Sequence, residues 1–314
     1  MAGSIESGFL AMRDYDDGME CFAIVRAHAK LDAVPDETSF PALAPFMRHI
    51  RACNDAVLPG DRKPFFCGSE PMGWVTPETG RFLAELGLKR DDSYGVQTGT
   101  ELSHLSRWLC DQDVYASHHE DFDVRSKTGV VLGQVDRGAI PVLGVAAEGV
   151  HLNGLVERPD GTFLWIARRS RSKRLDPGKL DHLVAGGISA GLSPDATVIK
   201  EAQEEAGIPD AVTRTAQPVS RLQYALERPE GLRRDILHCY DLVLPPDFVP
   251  VAEDGEVESF HLLPLQEVFG LVRDTDDFKF NVNLVLIDLF VRRGLFSPAE
   301  SSFLQAALTG ENQA

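Results

Sequence analysis

A chain of 314 residues can hold one large domain or two ordinary ones, and 43% hydrophobic with 25% charged residues is an ordinary globular composition. The balance of 48 acidic against 31 basic residues, net −17, excludes nonspecific duplex nucleic-acid binding, which needs a positive surface facing the phosphates. Five scattered cysteines (Cys21, Cys53, Cys67, Cys110, Cys239) without metal-type spacing argue against a disulfide framework and read as small buried hydrophobes. The opening residues match no secretory signal and no run is long and apolar enough to cross a bilayer, so a cytoplasmic location without membrane contact is expected.

In chain order, residues 40–58 space Phe46, Ile50 and Ala56 as an amphipathic helix would. A short buried strand is predicted at 64–68, a helix opened by Thr76-Pro77 at 76–88 and another at 101–110. Residues 113–123 are polar and acidic, and the glycine-rich, β-prone stretch from Val130 places a domain junction within 125–148. Beyond it, strands are expected at 150–156, 162–167, 183–185, 220–225, 236–244 and 257–263. Helices are expected at 195–206, 265–274, 281–293 and 298–308.

The segment KEAQEEAGI sets Glu201, Glu204 and Glu205 at i, i+3 and i+4, within an arc of about 100° of one helix face. Three like charges packed so closely repel unless a cation sits among them. A solvated acidic helix face is the alternative reading of the carboxylates alone. Upstream stand a short apolar run, the pair Gly186-Gly187 and a helix start at Ser193 or Asp195; downstream, Gly207 reads as a helix stop. Strand, glycine loop and acidic helix together make an oxygen-rich pocket suited to Mg²⁺ or Mn²⁺, which would in turn hold a polyphosphate.

Residues 186–208 resemble the Nudix box, G-x5-E-x7-R-E-U-x-E-E-x-G-U. Lys200 stands at the arginine position, Ala202 at the apolar position, and Glu201, Glu204, Glu205, Gly207 and Ile208 match; Leu192 replaces the first glutamate. The flanking sequence from Val150 to Pro264 resembles a Nudix subgroup with an extra N-terminal region, including the Nudix part of fungal thiamine pyrophosphokinases. That resemblance implies an α/β (α+β) fold, a Nudix α/β/α sandwich with a mixed sheet over residues 141–314, preceded by a smaller α/β N-terminal domain over 1–140. It also implies a divalent-metal-dependent hydrolase cleaving a diphosphate linkage by water attack on phosphorus, with thiamine diphosphate or its oxidised analogues as substrate class. Alternatives are a noncatalytic Nudix-like sensor of a phosphorylated metabolite and isopentenyl diphosphate isomerase, although no catalytic-type cysteine lies just before the box.

The metal-ligand set expected on this basis is Glu201, Glu204 and Glu205, completed by a carbonyl of Gly186 or Gly187. Lys200 would pair with a glutamate of its own helix. In DGEVESF, Glu256 is the candidate for metal or base duty, and Glu256 and Glu258 would share a face if the segment is a strand. The run ARRSRSKR carries five positive charges in eight residues; Arg168, Arg169 and Arg171 are read as substrate-binding, with Arg169 and Arg171 on one side. The scattered histidines read as structural, and Trp165 and Tyr240 as core aromatics able to stack on a ring. The expected partner is a small-molecule diphosphate, and a homodimer is compatible with the reading.

Overall fold

The computed structural model describes residues 39–252 and 255–309. The opening segment and Cys21, on which the expectations about targeting and thiols partly rested, lie outside the described residues. A 3-10 turn, Pro41–Leu43, leads into α1 (Ala44–Cys53), shorter than the 40–58 expected because Asn54 leaves helical geometry. Then come β1 (Lys63–Cys67), β2 (Glu70–Val75), α2 (Pro77–Glu85), β3 (Lys89–Arg90), β4 (Ser93–Val96), α3 (Gly99–Asp111), β5 (Asp121–Arg125), β6 (Val131–Asp136) and α4 (Ala139–Leu143). Thr76 and Thr98 cap α2 and α3, their side chains accepting from Thr79 N and Glu101 N.

These strands form a four-stranded sheet ordered β2-β1-β4-β3 and a separate β5–β6 hairpin. The expected junction at 125–148 therefore contains structure of its own, a hairpin and a short helix. Alternation along 121–125 buries Phe122 and Val124, a signal the surrounding acidic residues obscured.

The second part holds β7 (Ala146–Arg158), β8 (Gly161–Arg169), β9 (Leu180–Asp181), β10 (Val184–Gly187), α5 (Pro194–Ala206), α6 (Asp210–Thr213), β11 (Gln217–Arg228), β12 (Gly231–Val243), β13 (Val257–Pro264), α7 (Leu265–Asp274), α8 (Val282–Arg292) and α9 (Pro298–Thr309). Its seven-stranded sheet runs β11-β12-β7-β8-β13, with β10 on β7 and β9 on β8. Only β12 and β7 pair in parallel, which makes the sheet mixed, as expected. Helix α5 covers one face over Val150, Leu152 and Tyr240, while α1, α7, α8 and α9 cover the other over Leu155, Leu164 and Leu237. The result is an α/β/α arrangement, and α8, largely apolar apart from Asn283 and Asp288, is buried throughout from Val282 to Val291.

The sheet divides at its centre. Strands β7 and β8 pair only from Gly154↔Trp165 to Arg158↔Gly161; beyond Gly154 they separate, and β10 pairs with β7 while β9 pairs with β8. Residues 180–187 thus sit as a wedge in the fork. Gly154 permits this, because a Cβ there would stand 2.2 Å from a methyl of Leu183.

The residues before β7 do not all pack together. Leu43, Phe46, Met47, Ile50 and Cys53 join the core of the C-terminal helices, whereas residues 65–145 close a core of their own around Phe65, Leu102 and Leu143. Phe46 lies 5.0 Å from Phe269 and 5.1 Å from Phe296, centroid to centroid. Truncating it, Phe46→Ala, is expected to cost about 3–5 kcal/mol in denaturant unfolding; an unchanged midpoint would mean that α1 adds nothing to that core.

Candidate active site

Helix α5 is set by its ends. Ser193 Oγ accepts from Ala196 N at 3.1 Å, Pro194 opens the first turn, and Gly207 closes the helix at φ +63°, where a Cβ would be strained. The helix presents its glutamates to three surroundings. Glu205 is 7% exposed and accepts from Ala185 N at 2.9 Å. Glu201, its side chain 17% exposed, lies against Gly186, where a Cβ would come within 2.5 Å of its carboxyl carbon. Glu204 is half exposed.

A side chain at 186 would therefore displace Glu201 from its place between α5 and β10. The Gly186 carbonyl oxygen lies beside β7, 3.1 Å from where a Cβ on Gly149 would stand, so a larger residue at 149 would crowd it. Gly187 lies against the ring of Phe122, at 2.5 Å from such a Cβ.

Lys200 reaches both Glu204 Oε2 at 2.9 Å and Glu201 Oε1 at 3.1 Å, and hydrogen bonding to Glu204 is the main cause holding its ammonium charged beyond the usual lysine range. Burial pushes the Glu205 carboxyl far above the ordinary carboxylate range, against the pull of Ala185 N–H. Glu201 is raised as well, chiefly by burial, with Glu204 and Glu256 adding repulsion and Lys200 opposing it. Carboxylates whose anionic form burial disfavours, in a wall of hard oxygen donors, could hold a divalent cation.

Glu256 faces this helix from the turn before β13. Strand pairing starts at Val257, with a register shift before Ser259, so Glu256 and Glu258 do not share a strand face as expected. Its carboxylate pairs with Lys173, and its carbonyl accepts from Ser170 N at 2.8 Å. Lys173, Arg169, His182, Ala185, Glu205 and Glu256 line a small pocket.

The basic run divides in a way its spacing did not foretell. Arg168 donates to Gly178 O at 2.9 Å. Arg169 is spent on Asp181 at 2.5 Å and on the carbonyls of Asp176 and Leu175. Strand β8 ends at Arg169, so alternation does not carry on to Arg171, which is exposed in the loop. Lys173, not singled out from the sequence, lines the pocket together with Arg169 and is paired with Glu256.

Beneath the pocket lies a buried polar cluster. His151 and His182 bring their Nδ1 atoms to 3.0 Å, and Asp181 pairs with Arg169 and, at 3.6 Å, with Lys279. His151, Asp181 and His182 offer ligand atoms within 4.8 Å of one another. Two cations already neutralise Asp181, however, and the short Nδ1 to Nδ1 distance is that of a hydrogen bond, so the cluster reads better as support for the wedge than as a metal centre. Burial favours the neutral form of both imidazoles, bringing His182 down to about 4 and His151 well below the usual histidine range. Among the described residues His182 Nε2 has no hydrogen-bond partner. The signal for this cluster was the triplet LDH ahead of the glycine pair, uninformative until β9 and β10 bring it under α5.

Cys239 lies on the opposite face of the sheet, buried, its thiol pushed up to about 12, so it does not supply the isomerase alternative with a nucleophile. Trp165 and Tyr240 are buried under α5, Tyr240 donating to Asp195 at 2.7 Å, and neither is free to stack on a ligand.

Residues 149–283, which hold the acidic helix and the glycine wedge, match the family model described as NUDIX domain. The chain is 45% identical over 174 residues to Nudix hydrolase 20, chloroplastic, of Arabidopsis thaliana, covering 55% of this chain and 46% of the relative. It is equally identical over 170 residues to Nudix hydrolase 24, chloroplastic, of the same plant, covering 54% and 47%. The match spans about half the length of these relatives. Among solved structures, it resembles DR0079 from Deinococcus radiodurans at 22% identity and TM-score 0.43, over 53% of this chain and 97% of that one. It also resembles the NUDIX domain of Shewanella oneidensis NrtR complexed with ADP ribose, at 14% and 0.38, over 48% and 90%.

The raised Glu205 carboxyl sets a sign for stability. In the metal-free protein its contribution is fully present below the unfolded value of about 4.3 and is lost as pH rises through its raised value. In EDTA, the Tm of the natural chain is therefore expected to fall relative to Glu205→Gln as pH is raised from about 4.3, the histidine contributions cancelling between the two. A difference flat with pH would contradict the assignment.

Proposed function

We propose that the chain is a divalent-metal-dependent Nudix hydrolase that cleaves a diphosphate linkage. The observation that carries the reading is Glu205, buried with its carboxyl raised, beside Glu201 seated on Gly186: two oxygen donors the fold gathers at a cost that a cation would offset. Glu201, Glu204 and Glu205 would hold Mg²⁺ or Mn²⁺, with the Gly186 carbonyl as a further donor and Gly187 keeping its backbone in place. Bound there, the ion would neutralise the phosphate oxygens and make a coordinated water more acidic.

The chain's own groups divide the remaining work. Lys200, bonded to Glu201 and Glu204, fixes their rotamers, more loosely than the bidentate fork of an arginine would. Glu256, outside the helix but close enough to raise Glu201, is the carboxylate suited to take the proton of the attacking water as the bond from phosphorus to the bridging oxygen breaks. Lys173, paired with Glu256, is the cation placed to receive a substrate phosphate, in preference to Arg168, Arg169 and Arg171. Thiamine diphosphate and its oxidised analogues are the substrate class suggested by the resemblance of residues 150–264. One observation favours a second reading: Leu192, in place of the loop glutamate, suits a noncatalytic sensor of a phosphorylated metabolite.

A product assay with Mg²⁺ decides between them, reading orthophosphate and the monophosphate from thiamine diphosphate and its oxidised analogues, and AMP and ribose 5-phosphate from ADP-ribose. Glu201→Gln, Glu204→Gln and Glu205→Gln are each expected to lower turnover by about a hundredfold or more. Lys173→Ala should raise KM by about tenfold with a smaller change in kcat. Full activity in the glutamine variants would overturn the mechanism, and tight binding without turnover in the natural chain would select the sensor.

A further inference from the structure

The loop between Gly187 and α5 lacks the carboxylate that its motif pattern carries at position 192. Leu192 instead turns inward, partly buried against the apolar core under α5. Nothing in its side chain can hold the loop backbone by hydrogen bonding. The loop is nevertheless held, and the holding groups lie outside the NUDIX domain.

Three consecutive loop residues are bound by the segment entering and forming β5. Ser189 Oγ donates to Glu120 Oε1 at 2.7 Å, Ala190 N donates to Asp121 O at 2.7 Å, and Gly191 N donates to Asp123 Oδ2 at 3.1 Å. Phe122 lies against Gly187, closer than any side chain at that position would allow. Ile188 N completes the series on Glu148 O at 2.9 Å. The bracing side chains are themselves anchored. Arg137 pairs with Glu120 at 2.9 Å and lies over the Phe122 ring; Asp123 receives Arg125 at 2.8 Å and Gln134 at 3.0 Å.

We propose that residues 120–123 are positioning residues of the active site, doing from an adjoining hairpin what a loop carboxylate would do from within. The inference rests on the Nudix reading above and extends it: the region before the domain completes its catalytic loop. The physical reason is that Gly186, Gly187 and Gly191 give this backbone many conformations, Gly191 standing at φ +80°. A loop that sets the place of a carbonyl and of Glu201 must have that freedom removed. Hydrogen bonds to Glu120, Asp121 and Asp123 remove it through groups already rigid within the hairpin.

The test uses the full chain. Asp123→Ala and Ser189→Ala each remove one bond between hairpin and loop, the first from the hairpin side, where it also frees Arg125 and Gln134, and the second from the loop side, so that a hairpin defect in Asp123→Ala does not decide the result alone. Amide hydrogen exchange at 187–191 is expected to quicken by about tenfold in each. Asp123→Asn, whose amide oxygen can still accept from Gly191 N, should restore most of the protection. Mn²⁺ affinity, read by electron paramagnetic resonance without substrate, should weaken in Asp123→Ala and recover in Asp123→Asn. Where turnover is measurable, kcat should fall about tenfold with substrate KM little changed.

Unchanged exchange in both variants would overturn the brace. So would faster exchange with Mn²⁺ affinity and kcat intact, since the contacts would then be mere packing. If the natural chain proves inactive, the exchange and Mn²⁺ measurements still decide the brace, and the failure belongs to the Nudix hydrolase reading instead.

Discussion

The fork between β7 and β8 is the constraint from which the site follows. Two antiparallel strands that stayed paired along their length would leave no place for β9 and β10 inside the sheet. Once the strands part at Gly154, the wedge must fill the gap with residues satisfied on both sides, and Asp181 is the group that fixes it. Its carboxylate is buried yet held far below the usual range, because Lys279 and Arg169 more than offset the cost of its burial. Arg169 comes from β8 and Lys279 from the approach to α8, so one carboxylate ties the wedge to both. The wedge then delivers Ala185 N–H to Glu205 and the face of Gly186 to Glu201.

Charge at the site is arranged as an unresolved opposition. Burial favours protonated Glu205 and Glu201, while Lys200 and the Ala185 amide favour their anions. A group in that position gains most from a cation placed directly against it, since Coulomb attraction grows as water is excluded. Below, the buried histidines stay neutral and so do not compete for that role. The chain carries net −17, and the local cations around the pocket are correspondingly engaged: Arg169 with Asp181, Lys173 with Glu256, Lys200 with two glutamates.

The region before β7 is divided between two tasks. Helix α1 inserts into the core of the C-terminal helices through Phe46 and Ile50, while residues 65–145 carry a core of their own and hold the β5–β6 hairpin against the loop before α5. Its acidic stretch, which from composition alone marks a junction, thereby acquires a structural meaning. Glu120 and Asp123 face inward to donors instead of outward to water.

The sequence by itself determined the pieces whose information is local. The spacing of Glu201, Glu204 and Glu205, the Ser193 cap, the Gly207 stop and the periodicities of β7, β8, β12, α7 and α8 are legible because a helix or strand repeats over a few residues. Tertiary structure decided what depends on contacts across long separations. Glu205 turned inward while Glu204 stayed half exposed; Arg168 was consumed by the Gly178 carbonyl and Arg169 by Asp181 of the wedge, and Lys173 met Glu256 at the pocket. The triplet at 180–182 became a buried anchor, and Asp123 met Gly191 across 68 residues. Spacing along the chain cannot encode these outcomes, because burial and partner are fixed only when distant segments compete for the same space and the same charge.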